Sequence, residues 1–111
     1  QVTFSLGMLA YEAEGFKVVY CPELQMTGYG QTAQEAEKDL QDVIHLSVSY
    51  MVSKKTLDKV FKEYGWIVKK TNGSKTFLPP NPMNIIEQNP DYKDVLENKH
   101  EWRSHKVAIP I

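Results

Sequence analysis

The segment GFKVVYCPELQMTGYGQTAQEAEKDL, from Gly15 to Leu40, constrains the fold of this chain more than any other stretch. Its first part alternates like a strand, with a period of two residues. Its last part begins with Thr32-Ala-Gln-Glu35, a capping box in which the hydroxyl accepts from an amide near the helix start and the glutamate reaches back. The segment therefore predicts a strand, a glycine-rich turn and a helix in close succession, with no obvious catalytic group among them.

The residues before this segment complete a predicted β-hairpin. Gly15 can adopt the positive φ that the polar turn EAEG requires. Pro22 ends regular pairing because it has no amide hydrogen, and QMTGYG is predicted as a short third strand. The apolar positions of the first arm share one face of the alternation: Val2, Phe4, Leu6 and Met8.

The helix predicted from Thr32 has one apolar stripe at helical spacing, formed by Ala36, Leu40, Val43, Ile44, Ser47 and Met51. Leu46 and Val48 lie off that stripe. We therefore expect the C-terminal half of this helix to be covered on a second side, either by the next segment or by another subunit.

The rest of the chain is predicted from shorter signals. TLDKVFKEYGW indicates a second helix that ends at Gly65, and Asn72-Gly73 is the strongest hairpin signal in the chain. The proline-broken segment 78–92 is predicted to wrap the surface. YKDVLENKHEW is expected to hold one or two helical turns, and HKVAIPI a last strand at a sheet edge.

Composition indicates one globular domain. The chain has 111 residues, 41% of them hydrophobic and 24% charged, with a net charge of -1 that gives no global attraction to nucleic acid or membranes. Residues 54–75 nevertheless hold seven lysines and two acids. This basic middle is either a solvated surface, which we favour, or a surface for an acidic partner or a nucleic-acid backbone.

Targeting and redox signals are equally plain. Cys21 is the single cysteine, so no internal disulfide can form, which suits a reducing cytosol. No apolar run approaches the length of a membrane span, and no signal segment opens the sequence. We therefore expect a cytoplasmic protein with no membrane partner.

The residue types used in catalysis are present without a catalytic arrangement. His45 lies opposite the apolar stripe and is predicted as a surface residue, and the spacing of His100 and His105 does not suggest a metal site. Cys21 is predicted as a buried structural thiol. Three carboxylates near the first hairpin are interpreted as an acidic rim rather than an acid–base pair: Glu12, Glu14 and Glu23. We expect no catalytic residue, metal or cofactor, and hence no enzyme.

The glycine pair before the helix invites a phosphate-loop interpretation, because helix N-termini attract anions. Neither GxxxxGK[ST] nor GxGxxG is present, so a tight turn is the favoured interpretation. Tyr29, between Gly28 and Gly30, is then predicted as an exposed aromatic anchor for a partner.

Taken in order, these elements resemble the HicB-like antitoxin domain family. The family pattern runs from a strand through P-x-L, a short glycine turn and G-x-T-x-x-E-A into a long amphipathic helix. The segment from Thr56 to Trp66 also resembles the TLxxxLxxxGW stretch of one subgroup, so the match covers roughly residues 1–66. The matching residues of the first unit are Gly15-Phe16, Val18-Val19-Tyr20, Pro22-Glu23-Leu24, Gly28-Tyr29-Gly30, Thr32 and Glu35-Ala36.

The resemblance implies an α+β fold: a small antiparallel sheet, a β-β-β-α core packed against one long helix, in a reduced ribonuclease-H-like sandwich. We expect an extra short helix, a hairpin and a C-terminal strand, all in one domain over residues 1–111 with the core in 1–66 and an extension in 67–111. The structural motif residues carried over are Gly15, Pro22, Gly28, Gly30, Thr32, Glu35, Ala36, Gly65 and Trp66.

The resemblance also implies a non-enzymatic protein that binds and blocks a HicA-like RNA-cleaving toxin. We expect a homodimer or larger assembly and partner binding at Glu23, Gln25, Tyr29, Leu46 and Val48. The loop between Pro22 and Thr32 is shorter than in typical members, and residues 76–111 lack a two-helix pattern with a basic recognition helix. Operator binding is therefore not expected, and the chain resembles an orphan member.

Two alternatives stay open. One is a nucleic-acid-binding module that uses the region Lys54–Lys75. The other is a small metal-dependent nuclease, which would need several acidic ligands that converge on one site.

Overall fold

The computed structural model, which describes residues 2–109, has a four-stranded antiparallel sheet with helices on both faces and a separate two-stranded hairpin. This arrangement confirms the predicted α+β class. The order in the large sheet is β3-β2-β1-β6. The elements are, in chain order, β1 (Val2–Ala13), β2 (Phe16–Cys21), β3 (Met26–Gly30), α1 (Ala33–Ser53), α2 (Leu57–Glu63), β4 (Ile67–Thr71), β5 (Ser74–Leu78), α3 (Pro82–Glu87), α4 (Pro90–Glu97) and β6 (His100–Ile109).

Both predicted hairpin turns are present as two-residue turns. Glu14 and Gly15 have φ values of 52° and 83° and connect β1 to β2. Asn72 and Gly73 have φ values of 49° and 81° and connect β4 to β5. Two successive positive φ angles match the right-handed twist of the strands, which is why asparagine and glycine favour such turns.

One face of the sheet packs against α1. The buried residues of α1 are Ala36, Leu40, Ile44, Val48 and Met51. The prediction that Val48 lies off the apolar stripe is wrong: its side chain is fully buried, while Leu46 is 70% exposed. The four-residue spacing from Ala36 to Val48 follows the side of the helix that faces the sheet, so the stripe continues through Val48.

The other face of the sheet packs against α3 and α4. Ile86 is fully buried with Leu9 and Tyr20, and Tyr92 stacks on Tyr20 with 4.2 Å between ring centroids. Segment 78–92, predicted to wrap the surface, is largely exposed but also contributes Ile86 to the core. Its prolines lie at helix starts: Pro82 and Pro90 are the first residues of α3 and α4, a position where no helical hydrogen bond is lost.

These two helices do not form a basic recognition unit. They carry four acids and one lysine, Lys93, and their apolar residues face the sheet. The sequence predicts helical turns for the second of the two, and the apolar residues of both helices contribute to the core.

An aromatic cluster closes the end of the sheet near α2 and the small hairpin. The Phe4 ring lies 5.5 Å from Phe61 and 5.4 Å from Trp66, measured between centroids. Trp66 is buried, and Gly65 ends α2, as predicted, with φ of 92°. This cluster joins α2 and the β4–β5 hairpin to the same core as α1.

The last strand is longer than predicted. β6 begins at His100 and pairs with β1 from Val2 to Tyr11, and its predicted edge position is confirmed. Pro110, on which that prediction partly rested, lies outside the described residues. Across residues 2–109, no helix combines the length and the apolar character needed to cross a membrane.

Candidate partner-binding surface

Two glycines let α1 lie directly on β3. A β-carbon on Gly28 would be 2.4 Å from the Ala36 carbonyl oxygen and 2.5 Å from the Leu40 nitrogen, and one on Gly30 would be 2.6 Å from the Ala36 nitrogen. Side chains of any size are therefore excluded at both positions. The predicted third strand over QMTGYG is confirmed, whereas the interpretation of its glycine pair as a tight turn is wrong: the glycines lie within β3 and permit close approach of a helix.

Strand alternation places the side chain of Tyr29 on the opposite face, away from α1. Tyr29 is 59% exposed, which confirms its predicted exposure, and it lies opposite Val18 in the sheet. Tyr11 flanks Val18 on the other side. Partial burial, with Tyr92 and Tyr29 close by, raises the pKa of Tyr11 to about 12. Phe16, 47% exposed, lies on this same face.

The capping box anchors α1 beside β3. The Glu35 amide donates to Thr32 Oγ1 at 3.1 Å, as predicted, and the Glu35 carboxylate accepts from the Gln31 amide at 2.9 Å. The carboxylate thus reaches one residue further back than the usual capping-box partner. One turn later, Asp39 Oδ2 accepts the Tyr29 amide at 2.9 Å. This last bond occupies an outward-facing donor of the edge strand.

These groups surround a shallow groove of about 490 Å³ between β3 and α1. Three carboxylates line it, and its single cation, Lys38, pairs with Asp42 at 3.0 Å. We call this region the β3-edge surface and define it by Tyr29, Glu35, Asp39 and Asp42. The carboxylates lie on the α1 side of β3 and the Tyr29 ring lies on the other face, so a partner would contact both across the edge of the strand. The excess of negative charge suits a basic partner protein.

Glu23 lies elsewhere, in the core. It is only 3% exposed, and its Oε2 accepts the Gly7 amide at 2.7 Å. Its backbone oxygen accepts from Trp66 Nε1 at 2.8 Å, and the Cys21 thiol lies 3.9 Å from its Oε1. The predictions that Glu23 forms an acidic rim and binds a partner are therefore wrong. β2 ends at Cys21, so no further residue of that strand accepts the Gly7 amide of β1. The Glu23 carboxylate accepts it instead.

Burial changes the acid–base properties of this site. Desolvation raises the pKa of Glu23 above its ordinary value, although the Gly7 amide opposes that shift. Desolvation is the main cause that raises the pKa of the Cys21 thiol to about 12, and the nearby charge of Glu23 is the second. A thiol with so high a pKa is a poor nucleophile, which agrees with the predicted structural role of Cys21.

The remaining predicted partner residues are not brought together. Gln25 is exposed in the turn after β2 with φ of 55°, and Leu46 is exposed on the second half of α1 beside Tyr50, itself 64% exposed. Val48 is buried. Sequence reasoning missed Asp39, whose only signal is its position one turn after Glu35 on the helix that follows the glycine strand.

A second groove, of about 690 Å³, lies where the turn end of the first hairpin, the start of β6 and the first residue of α1 meet. Its charges are largely paired. Lys17 contacts Glu12 at 2.7 Å, and Arg103 contacts Glu37 at 3.0 Å. The lining charges sum to +1, from Lys17, Lys99 and Arg103 against Glu12 and Glu101, and Glu37 balances this excess through its ion pair with Arg103.

Metal-binding side chains are dispersed. Glu12 lies at the turn end of the first hairpin, whereas Glu23 lies beyond the opposite end of β2. Within residues 2–109, no group of three or more histidine, cysteine or carboxylate side chains has a geometry that could hold an ion. Glu23 is therefore separated from Glu12 and Glu14, the other two carboxylates near the first hairpin.

The lysine-rich region spreads over several elements. Its seven lysines are exposed and belong to the end of α1, α2 and the β4–β5 hairpin. The Nζ atoms of Lys70 and Lys75 lie 3.8 Å and 3.1 Å from Asp58 Oδ2. The Asp58 carboxylate therefore neutralises part of the positive charge.

Comparisons with protein-family models, with curated proteins and with solved structures gave no match to this chain. The relation to the HicB-like family therefore stays a resemblance, carried by the motif residues between Gly15 and Trp66.

Proposed function

We propose that this protein is a non-enzymatic, HicB-like antitoxin-type protein that binds a partner protein through the β3-edge surface. The partner we propose is a basic, HicA-like RNA-cleaving toxin. The observation that carries the proposal is Tyr29, an aromatic side chain 59% exposed on a strand that is otherwise held tightly under α1. A rigid exposed aromatic loses little conformational entropy on binding.

Charge supports a basic partner. Glu35, Asp39 and Asp42 line the groove next to Tyr29 against one lysine that is already paired. Complementary charge increases the association rate and disfavours acidic competitors. Because α1 is anchored by its capping box and by the glycine contacts, these carboxylates are held in fixed positions before binding.

Two further features belong to this proposal. We propose a cytoplasmic location, supported by a single cysteine that is buried as a free thiol. We also propose self-association, as the exposed Leu46 and the open sheet edges suggest.

The test begins with the reading frames that adjoin the gene of this protein. A short neighbour with a basic chain is purified with and without the 111-residue protein, and binding is measured by calorimetry. We expect binding of the neighbour and loss of its ribonuclease activity in the complex. Tyr29→Ala should weaken binding by about tenfold or more, which corresponds to about 1.4 kcal/mol.

The matched control is Tyr50→Ala, because Tyr50 is 64% exposed on a different part of the surface. It should leave the affinity unchanged. Equal losses for the two variants would contradict the β3-edge surface. Metal-dependent RNA cleavage by this protein alone, or steeply salt-dependent nucleic-acid binding that requires the lysines of Lys54–Lys75, would instead support one of the two alternatives.

A further inference from the structure

The hydrogen-bonding directions along β6 follow from one contact in β1. The Gly7 amide donates to Glu23, on the β2 side of the strand. Backbone groups alternate sides along a strand, so the even-numbered residues of β1 direct theirs towards β6. Met8 is paired with Arg103 and Leu6 with His105, so the odd-numbered residues of β6 direct their backbone hydrogen bonds towards β1. The backbone groups that point away from the sheet therefore belong to Trp102, Ser104 and Lys106.

This edge is long and open. β6 has ten residues, whereas β3, at the opposite edge, has five. Tyr29 on β3 donates its outward amide to Asp39. Among the hydrogen bonds within residues 2–109, none from another element occupies the outward groups of Trp102, Ser104 or Lys106. Long edges without such protection are templates for another strand.

We propose that a second copy of this chain pairs with β6 in antiparallel fashion, with the two-fold axis at Ser104. The two four-stranded sheets would then form one continuous sheet. This inference rests on the self-association in the proposed function and assigns it to one edge and one register. It uses the edge opposite the β3-edge surface and leaves Tyr29 free for a partner protein.

Charge and symmetry select this register. With Ser104 on the axis, the small uncharged serine faces itself and Trp102 lies directly opposite Lys106 of the second copy. Both side chains are at least partly exposed and lie on the same face of the sheet, so each pair allows a cation–π contact. A shift that places Arg103 on the axis would oppose two guanidinium groups at the closest spacing of an antiparallel pair.

The same register uses nearly the whole strand. Centred on Ser104, the overlap runs from His100 to Ala108 of both copies, so the outward groups of His100, Trp102, Ser104, Lys106 and Ala108 all find partners. A register centred on Trp102 would pair little more than the first half of β6. Self-complementarity along the full length of the edge is what identifies the occupant as a second copy.

A cysteine pair tests the register. In an antiparallel hydrogen-bonded pair the two α-carbons lie about 5.5 Å apart, within the range of a disulfide. Ser104→Cys should therefore give a covalent dimer on mild oxidation, since Cys21 is buried and leaves the new thiol as the accessible one. Lys106→Cys is the matched control, because its two α-carbons would lie about 13 Å apart. Crosslinking that is equal in the two variants would overturn the proposal.

A proline tests the hydrogen bonds. Ser104→Pro removes an outward donor that β1 does not use, so the monomer should keep its fold. We expect its dimer dissociation constant, measured by sedimentation, to rise about tenfold or more. Thr27→Pro, which removes an outward donor at the β3 edge, should leave dimerisation unchanged. A wild-type chain that stays monomeric at about 100 μM, where even weak protein pairs associate, or a dimer insensitive to Ser104→Pro, would overturn the proposal.

Discussion

The two edges of the sheet are built differently. At the β3 edge, five residues lie against α1, and Asp39 accepts the outward amide of Tyr29. At the β6 edge, ten residues extend beside β1, and α1 reaches them through the ion pair of Glu37 with Arg103. One edge is short and carries a charged acceptor, and the other is long and keeps its backbone groups available.

This difference shows how a small sheet separates two kinds of contact. The β3 edge resists strand addition, so a partner there must bind side chains, chiefly the exposed ring of Tyr29 and the neighbouring carboxylates. The β6 edge offers backbone hydrogen bonds, which suit a strand of matched length. Under the two proposals above, the protein partner and the second copy would use different edges and would not compete.

The largest effect is expected at the glycines of the β3 edge. Gly28→Ala should destabilise the fold by about 3 kcal/mol, because its β-carbon would overlap backbone atoms of α1 that cannot move independently. Gly7→Ala is the comparison, since the nearest atom there is a side-chain oxygen of Glu23 at 3.3 Å, which needs to shift by only a few tenths of an ångström. It should cost less than about 1 kcal/mol. Urea unfolding measures both, and equal costs would contradict close helix packing as the distinctive feature of β3.

The next effect concerns the buried carboxylate between the two edges. Glu23→Ala should cost about 2 kcal/mol, because the Gly7 amide loses its acceptor in the core. Glu23→Gln keeps an acceptor oxygen and should be much less destabilising. Thermal unfolding at pH 7 distinguishes the two variants, and an alanine variant as stable as the wild type would show that Gly7 finds another acceptor.

The same residue gives a pH dependence with a defined sign. Since the pKa of Glu23 is raised in the folded protein, the folded state binds the proton more tightly than the unfolded state. Its contribution to stability is therefore largest at low pH and is lost as the pH rises from the unfolded pKa through the raised folded value. Glu23→Gln should abolish this component, so its stability relative to the wild type should improve from pH 4 to pH 7. The opposite trend would contradict the assigned shift.

A smaller effect is expected at the start of the helix that protects β3. Thr32→Ala should cost about 1 kcal/mol, within the usual range for an N-cap. It should also increase amide exchange in β3, because α1 supplies the acceptor for Tyr29. Thr56→Ala is the comparison, since the Thr56 hydroxyl makes no capping hydrogen bond to α2 and donates only a long one, 3.4 Å, to the Met51 carbonyl. If the two threonine substitutions reduced the stability equally, capping would not explain the anchoring of α1.

The smallest change in stability is expected at Asp39, the residue that makes the two edges unlike. Asp39→Ala should cost less than about 1 kcal/mol, because the contact is exposed. The Tyr29 amide should nevertheless exchange faster, and higher assemblies should form at high concentration as β3 becomes open. Asp42→Ala removes a neighbouring carboxylate that pairs with Lys38 and should show neither effect. Unchanged Tyr29 exchange in Asp39→Ala would contradict edge protection.

Local patterns in the sequence determined most of the secondary structure. The two-residue turns at Glu14-Gly15 and Asn72-Gly73, the capping box at Thr32 and the stop at Gly65 each depend on residues within a few positions of one another. Backbone sterics and short-range hydrogen bonds act at that distance, so these features could be predicted without the fold. The exposed position of Tyr29 and the edge position of β6 followed from the same kind of argument.

Tertiary structure alone decided what each of these elements contacts. Glu23 has the sequence signature of a surface carboxylate, yet it is buried because β2 ends two residues earlier and the Gly7 amide needs an acceptor. The sequence favoured a tight turn at Gly28 and Gly30, but both lie within β3, where they leave room for the backbone of α1. Val48 and Ile86 became core residues only once both faces of the sheet were covered. Which side chains are buried, and which group accepts a given backbone amide, depend on residues far apart in the chain, so no local pattern encodes either.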